Sequence, residues 1–110
     1  MRERDYLGEF EHIFVLALLR LNDLAYGVTV RQEIESRTQR EVSIGAVYAT
    51  LDRLETKGYV TSYQGDPTPE RGGRSKRFFR VTAKGMAAVN STHRALQSMI
   101  EGLSLTRGSL

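Results

Sequence analysis

The 110-residue chain contains no cysteine and no tryptophan, and only two prolines. Without cysteine it cannot form disulfides or thiolate metal sites, and nothing in its composition points to secretion. No apolar run reaches the roughly 20 residues that span a bilayer, and no signal-peptide core follows the charged N-terminus. We therefore expect a cytoplasmic protein without a membrane segment.

The composition is typical of one soluble domain. Hydrophobic residues make up 40% and charged residues 26% of the chain, as in an ordinary globular protein. A core of this size is modest, so a partner chain would add useful buried surface.

Basic residues are concentrated in one segment. The net charge is +3, but positions 71 to 84 carry six basic residues and no acidic one. The rest of the chain has 10 basic and 13 acidic residues, a net charge of −3. The six are Arg71, Arg74, Lys76, Arg77, Arg80 and Lys84. Such a concentration predicts an edge that binds a polyanion.

The segment from Val42 to Tyr59 has the pattern of an amphipathic helix. Ser43 is a natural N-cap, and Gly58 is suited to the left-handed turn that ends a helix. Between them, one apolar stripe recurs at i, i+4 and i+7. The stripe consists of Val47, Leu51 and Leu54.

The opposite face of this helix carries unusually small side chains. At about 100° per residue, this face presents Gly45, Ala46, Ala49 and Arg53, with Tyr48 at its edge. Small residues let a helix approach a large partner closely, which predicts a recognition helix for the DNA major groove. Close packing against a neighbouring element of the same chain is the alternative.

Two further helices precede this segment. The first, Leu7 to Leu21, has so broad an apolar face that we expect part of it to meet another chain. The second runs from about Val28 to Arg37, and a turn of four or five residues then leads to Ser43. Two helices joined in this way form a helix-turn-helix.

A hairpin and a long helix follow. β-Branched and aromatic residues predict strands at Tyr59–Tyr63 and Phe78–Val81, joined by a loop rich in glycine, proline and charge. Such a hairpin is the wing of a winged-helix domain. With Thr82 as N-cap, a helix to about Leu103 would be roughly 30 Å long and would outrun the core beneath it. Its projecting apolar stripe predicts dimerisation.

The predicted fold class is mainly α with a β-hairpin wing, namely a winged helix-turn-helix plus a long C-terminal dimerisation helix. We expect the DNA-binding domain at residues 1–82, with the first helix also contributing to the dimer. The dimerisation helix and tail would occupy residues 83–110.

These features resemble the PadR-like family of transcriptional regulators. The resemblance covers about Leu7 to Leu96, and its most specific part is Tyr48 followed by L-x-R-L-E-x-K-G. The sequence Gly72-Gly73-Arg74 in the loop is nearly as specific. Other matching segments are Leu7–His12, Ala25–Gly27, Ser43–Tyr48, Lys57–Val60 and Phe79–Gly85.

The resemblance implies a bacterial dimeric winged-helix protein, in most cases a repressor, and a response to small aromatic or toxic compounds in many members. This chain is similar to the short form, which has a single C-terminal helix. Some members line a dimer-interface pocket with tryptophan; this chain has none, so that pocket cannot be carried over. A small apolar or aromatic effector would bind in the dimer cleft near Phe10, Phe14, Val89, His93 and Leu96.

Ten residues are predicted to contact DNA. They are Ser43, Gly45, Ala46, Tyr48, Ala49, Arg53, Arg71, Arg74, Lys76 and Arg77. The family resemblance implies that Tyr48 donates its hydroxyl to a phosphate; the alternative is that its ring packs under the wing. Arg53 would reach a phosphate or pair with an acidic neighbour such as Asp52.

Strand alternation separates the two aromatic residues of the second strand. It places one of Phe78 and Phe79 in the core and leaves the other partly exposed. For Arg80, a DNA contact and a position over the surface of the domain both stay open.

The dimer interface is predicted on the first and last helices. Its residues are Phe10, Phe14, Val89, His93, Leu96, Met99, Ile100 and Leu103. The two histidines, His12 and His93, lack metal-ligand spacing, so we expect them in the core or the interface and expect no cofactor.

The chemistry of an enzyme is not visible in the sequence. It has no nucleophile motif and no paired carboxylates in an apolar setting. The expected function is a sequence-specific DNA-binding regulator, a repressor that binds a pseudo-palindromic operator as a homodimer and is released by a small-molecule inducer. The alternative is a winged-helix module that contacts protein or RNA.

Overall fold

Helices and one antiparallel hairpin make up the computed structural model, which describes residues 5–65 and 76–105. The helices are α1 (Glu9–Leu21), α2 (Gly27–Thr38), α3 (Ile44–Thr56) and α4 (Ala83–Ile100), and the strands are β1 (Val60–Gln64) and β2 (Arg77–Val81). The predicted class, mainly helical with a hairpin wing and a C-terminal helix, is confirmed. The outer helices are shorter than predicted, because α1 begins at Glu9 and α4 ends at Ile100.

Local capping fixes the ends of α3 and α4 as the sequence predicts. Ser43 Oγ accepts a hydrogen bond from the Ala46 N–H at 3.1 Å, and Thr82 Oγ1 accepts from the Gly85 N–H at 3.0 Å. Gly58 follows α3 with φ of +85°, a conformation that glycine adopts without strain. The Thr82 hydroxyl also donates to the Gly58 carbonyl at 2.6 Å, which joins the start of α4 to the end of α3.

The core lies among α1, α2, α3, the hairpin and the first half of α4. The predicted stripe of α3 is fully buried, with Val47, Leu51 and Leu54 each 0% exposed. On β2, Phe79 is buried and Phe78 is half-buried, so the predicted division between the two rings is confirmed. The largest fully buried side chains are Phe14, Phe79, Ile34, Leu51, Leu54, Val15, Val30, Val47 and Val60.

The hairpin is attached to the turn that precedes α2. Its strands pair in the register Val60↔Val81 to Gln64↔Arg77. On the outer edge of β2, the Phe79 N–H donates to the Ala25 carbonyl at 2.9 Å, and Tyr26 forms an isolated bridge with Phe78. The hairpin therefore has a backbone contact on both edges of β2.

The first half of α4 packs on the body of the domain and the second half leaves it. Ala88, Val89 and Thr92 are buried, and Thr92 Oγ1 accepts from the Leu7 N–H at 2.9 Å. Further along the same stripe, Leu96 is 53% and Met99 76% exposed. The apolar stripe of α4 thus continues beyond the surface that covers it.

None of the helices within residues 5–65 and 76–105 combines the length and the apolar character needed to cross a lipid bilayer.

Candidate nucleic-acid interface

The solvent-facing side of α3 carries small side chains. Gly45 and Ala49 are exposed, as the helical pattern predicts. Ala46 is half-buried and packs against the core, so it belongs only partly to this face. Ser43 is exposed at the start of the helix, where its hydroxyl oxygen already caps the backbone. The surface left between them is shallow enough for another molecule to approach the helix backbone.

Tyr48 lies at the edge of this face and is 37% exposed. Its ring and hydroxyl rest against Gly27, the first residue of α2, and a Cβ at Gly27 would overlap both. The Tyr48 ring therefore packs against α2, whereas the predicted alternative placed it under the wing. Part of the side chain still faces solvent, so packing and a phosphate contact are compatible.

The loop end of the hairpin carries a cluster of aromatic rings with cations on it. The Phe78 ring stacks on Tyr63 at 5.7 Å and meets the edge of Tyr26 at 5.4 Å. Lys76 Nζ lies 5.0 Å from the centre of the Tyr26 ring, and the Arg80 guanidinium lies 4.7 Å from that of Tyr63. Cation–π contacts of this kind hold the charges in place while leaving them able to meet an anion.

Arg77 lies between the hairpin and α3. Its Nη2 is 2.7 Å from Glu55 Oε1 and 3.1 Å from Asp52 Oδ1, and its guanidinium stacks on Phe79 at 4.8 Å. This predicted DNA contact is thus already bound to two carboxylates of its own chain. The other two arginines predicted in the wing, Arg71 and Arg74, lie outside the described residues.

Arg53 pairs within the chain, but not with Asp52. Its Nε is 3.1 Å from Glu11 Oε2, and Lys57 Nζ is 3.0 Å from the same oxygen. Burial by itself would raise the pKa of Glu11, but the hydrogen bonds from Lys57 and Arg53 hold it below its ordinary value. Because Glu11 is on α1, this contact joins α1 to the last turns of α3.

The last basic residue of the charged segment has a structural contact. Lys84 Nζ donates to the Lys57 carbonyl at 2.9 Å, where α3 ends. A cation at this position also complements the negative end of the helix dipole.

Two of the residues predicted for the dimer interface are buried in the core of a single chain. Phe14 is 0% and Val89 6% exposed, because both pack into the chain's own core. A residue with so little exposed surface has almost nothing to offer a partner. The others are half-buried or exposed, and they are Phe10, His93, Leu96, Met99, Ile100 and Leu103.

His93 lies close enough to His12 to affect the pKa of His12. Burial lowers the pKa of His12, and the nearby His93 lowers it further. Across residues 5–65 and 76–105, no group of three or more histidine, aspartate and glutamate side chains could hold a metal ion.

Sequence reasoning missed Gly27 and Glu55 as parts of this surface. Both fall in segments that resemble the family motif, but their roles depend on partners 21 and 22 positions away, Tyr48 and Arg77. No periodicity or local spacing connects positions so far apart.

The chain is similar to known regulators in both sequence and structure. The sequence model of the family described as 'Transcriptional regulator PadR-like family' matches residues 15–91 of this chain. The transcriptional regulator Rv3488 of Mycobacterium tuberculosis (strain ATCC 25618 / H37Rv) is 36% identical over 88 residues, covering 76% of this chain and 78% of that protein.

Solved structures share the fold at low sequence identity. A PadR family transcription regulator from hypervirulent Clostridium difficile R20291 superimposes with a TM-score of 0.65 and 19% identity, covering 83% of this chain and 94% of the other. F93 from STIV, a winged-helix DNA-binding protein, gives a TM-score of 0.65 at 19% identity, covering 89% and 98%.

The contact between Gly27 and Tyr48 yields a prediction about duplex DNA binding. The change Gly27→Ala should displace Tyr48 and lower affinity about tenfold, the cost of losing one hydrogen bond to a charged group. In a Tyr48→Ala background the same change should have no further effect, because the two changes act through one contact. Fluorescence anisotropy with a labelled duplex measures all four proteins.

The matched control for this experiment is Gly8→Ala. Gly8 is exposed and a Cβ there meets nothing within 4 Å, so affinity should not change. Equal losses from Gly27→Ala with and without Tyr48 would show that Gly27 acts independently of the tyrosine.

Proposed function

This chain belongs to the PadR-like family of transcriptional regulators, and we propose that it represses transcription by binding a pseudo-palindromic operator as a homodimer. The family consists of DNA-binding regulators and not of enzymes. Each α3 would enter a major groove, and each hairpin would touch the flanking backbone or minor groove. Two-fold symmetry then sets the half-site centres about one helical turn, roughly 34 Å, apart or a multiple of that distance.

The observation that carries this proposal is the shallow face of α3 beside a cationic hairpin. Gly45 and Ala49 leave the helix open to close approach, while Lys76 and Arg80 are held on aromatic rings near the hairpin. A shallow face with adjacent positive charge fits a DNA groove and its phosphates better than it fits an apolar protein surface.

We assign contacts to three groups of residues. Tyr48, Lys76, Arg71 and Arg74 would bind phosphates and set the register of the protein on the duplex. Ser43, Gly45, Ala46 and Ala49 would approach base edges or the sugar wall. With few donors on the helix, sequence reading would depend on contacts with thymine methyl groups, on water and on DNA shape.

Arg53 and Arg77 form the third group, because each is paired with a carboxylate in the free protein. A guanidinium carries five N–H groups, so each arginine can keep its carboxylate and still donate to a phosphate. Their net contribution to affinity should be smaller than that of Lys76, since Glu11, Asp52 and Glu55 oppose the same phosphates.

We propose that the dimer forms through α4. Leu96, Met99 and Ile100 continue the buried stripe of α4 past the body of the domain, where a second copy would cover them. On α1, Leu16 and Leu19 are 41% and 38% exposed and offer a second apolar surface. The dimerisation unit would then be residues 83–110, with α1 of the 1–82 domain contributing.

We place a small apolar or aromatic effector in the dimer cleft. The apolar groove between α1 and α2 of one chain has a volume of about 240 Å³, below the roughly 300–1,000 Å³ of typical ligand sites. A cleft closed by two chains, bordered by Phe10, His93 and Leu96, would provide more room. Effector binding there would change the separation of the two α3 helices and release the operator.

The alternative is a winged-helix module that binds protein or RNA. Competition with duplex DNA, duplex RNA and single-stranded DNA of one sequence separates the two. The proposed function requires a strong preference for duplex DNA, and a preference for RNA would favour the alternative.

Salt dependence measures the number of phosphates neutralised. If each subunit neutralises about four, the slope of log K against log salt for the dimer should be near −7. The triple change Arg71→Ala, Arg74→Ala, Lys76→Ala should weaken binding to all duplexes alike and make the slope shallower by several units. A slope shallower than about −3 for the unchanged protein contradicts the role of the hairpin.

Dimerisation can be tested at Met99. Because Met99 is 76% exposed in one chain, Met99→Glu should leave the fold intact but place a charge in the proposed interface. The prediction is a shift to monomer in sedimentation equilibrium and loss of operator binding. Asn90→Glu is the matched control, since Asn90 is exposed about 180° away on the same helix. A Met99→Glu protein that stays dimeric would show that the dimer interface lies elsewhere.

A further inference from the structure

Glu55 binds both strands of the hairpin at once. Its Oε2 accepts a hydrogen bond from the Ser62 hydroxyl on β1 at 2.8 Å, and its Oε1 accepts from Arg77 Nη2 on β2 at 2.7 Å. Glu55 itself lies in the last turn of α3. One carboxylate therefore joins the recognition helix to each strand of the wing.

A contact between Arg77 and the Phe79 ring strengthens this arrangement. The Arg77 guanidinium stacks on the buried Phe79 ring, so its position is fixed by the core as well as by Glu55. On the opposite edge of β2, the Phe79 N–H donates to the Ala25 carbonyl. The hairpin is thus held from both sides, by α3 on one and by the turn before α2 on the other.

The negative charge of Glu55 is unfavourable for DNA binding by the neighbouring surface. A carboxylate next to the proposed DNA surface repels phosphates, and by Coulomb's law alone its removal should strengthen binding. The hydrogen bonds from Ser62 and Arg77 hold the pKa of Glu55 below its ordinary value, so it is ionised at neutral pH. An acid at this place needs a compensating role.

We infer that Glu55 is a positioning residue that fixes the wing relative to α3, so that both reach their places on one DNA site together. This inference rests on the proposed function and adds to it the residue that sets the geometry between the two contacts. Fixed geometry favours the operator over other sequences, because only there do helix and wing contacts form simultaneously. Non-specific binding depends on charge and does not need that geometry.

The experiment compares Glu55→Ala, Glu55→Gln and the control Asp52→Asn. Asp52 also pairs with Arg77, but its side chain is 59% exposed, and this contact reaches β2 and not β1. Affinity is measured by anisotropy for a duplex selected from genomic fragments and for a scrambled duplex of the same length and composition. All three changes remove one negative charge, so electrostatics alone predicts tighter binding to both duplexes in every case.

The positioning role predicts different results for the two duplexes. Glu55→Ala should weaken binding to the selected duplex about tenfold while binding to the scrambled duplex is unchanged or tighter. Glu55→Gln, which keeps an acceptor oxygen, should recover part of the loss. Asp52→Asn should bind both duplexes as tightly as the unchanged protein or more tightly. Glu55→Ala that binds the selected duplex equally or more tightly overturns the inference.

Two checks separate this result from other failures. If Glu55→Ala does not fold, as judged by circular dichroism, Ser62→Ala removes only the β1 side of the contact and should lower the ratio of selected to scrambled affinity in the same direction. An unchanged ratio for Ser62→Ala overturns the inference. If the unchanged protein does not prefer the selected duplex, the proposed function has failed. That failure is distinct from a failure of the inference about Glu55, because it is seen without any variant.

Discussion

The burial of one stripe of α3 is the constraint on which the rest of the structure depends. Val47, Leu51 and Leu54 are fully buried in the core, where α3 meets α2, α1 and the hairpin. Burying side chains of this size contributes about 1.5–3 kcal/mol each, which far exceeds the gain from any exposed ion pair in the protein. The stripe therefore decides which side of α3 faces inward, and the opposite side, with Gly45 and Ala49, must face solvent.

Polar contacts then restrict the rotation and sliding of α3 that the buried stripe alone would allow. Hydrophobic burial is not directional, so a buried stripe allows small rotations and sliding of a helix. Glu11 on α1 accepts hydrogen bonds from Arg53 of α3 and from Lys57, which directly follows α3. Glu55 on α3 accepts hydrogen bonds from Ser62 and Arg77 of the hairpin. Two carboxylates thus hold α3 between α1 and the hairpin, which makes these three elements one surface.

The parts of the fold that were predictable depend on neighbours in sequence. The caps at Ser43 and Thr82, the stripe of α3 and the alternation of Phe78 and Phe79 all follow from spacings of a few residues. The partner of Arg53 was not predictable, because Glu11 is 42 positions away and only the packed fold brings it near. Phe14 and Val89 show a second limit: a stripe reveals which side of a helix is buried, but not whether its own chain or a partner buries it.

The most direct test of this account is the distance between the two α3 helices in the proposed dimer. The chain has no cysteine, so Ala49→Cys carries a single spin label on the exposed face of α3, and pulsed electron paramagnetic resonance gives the separation between copies. The proposed dimer predicts a narrow distribution centred near one turn of DNA, roughly 34 Å, or a multiple of that distance. Absence of any distance between copies, or labels closer than about half a turn of the duplex, would contradict the presentation of both helices to one operator.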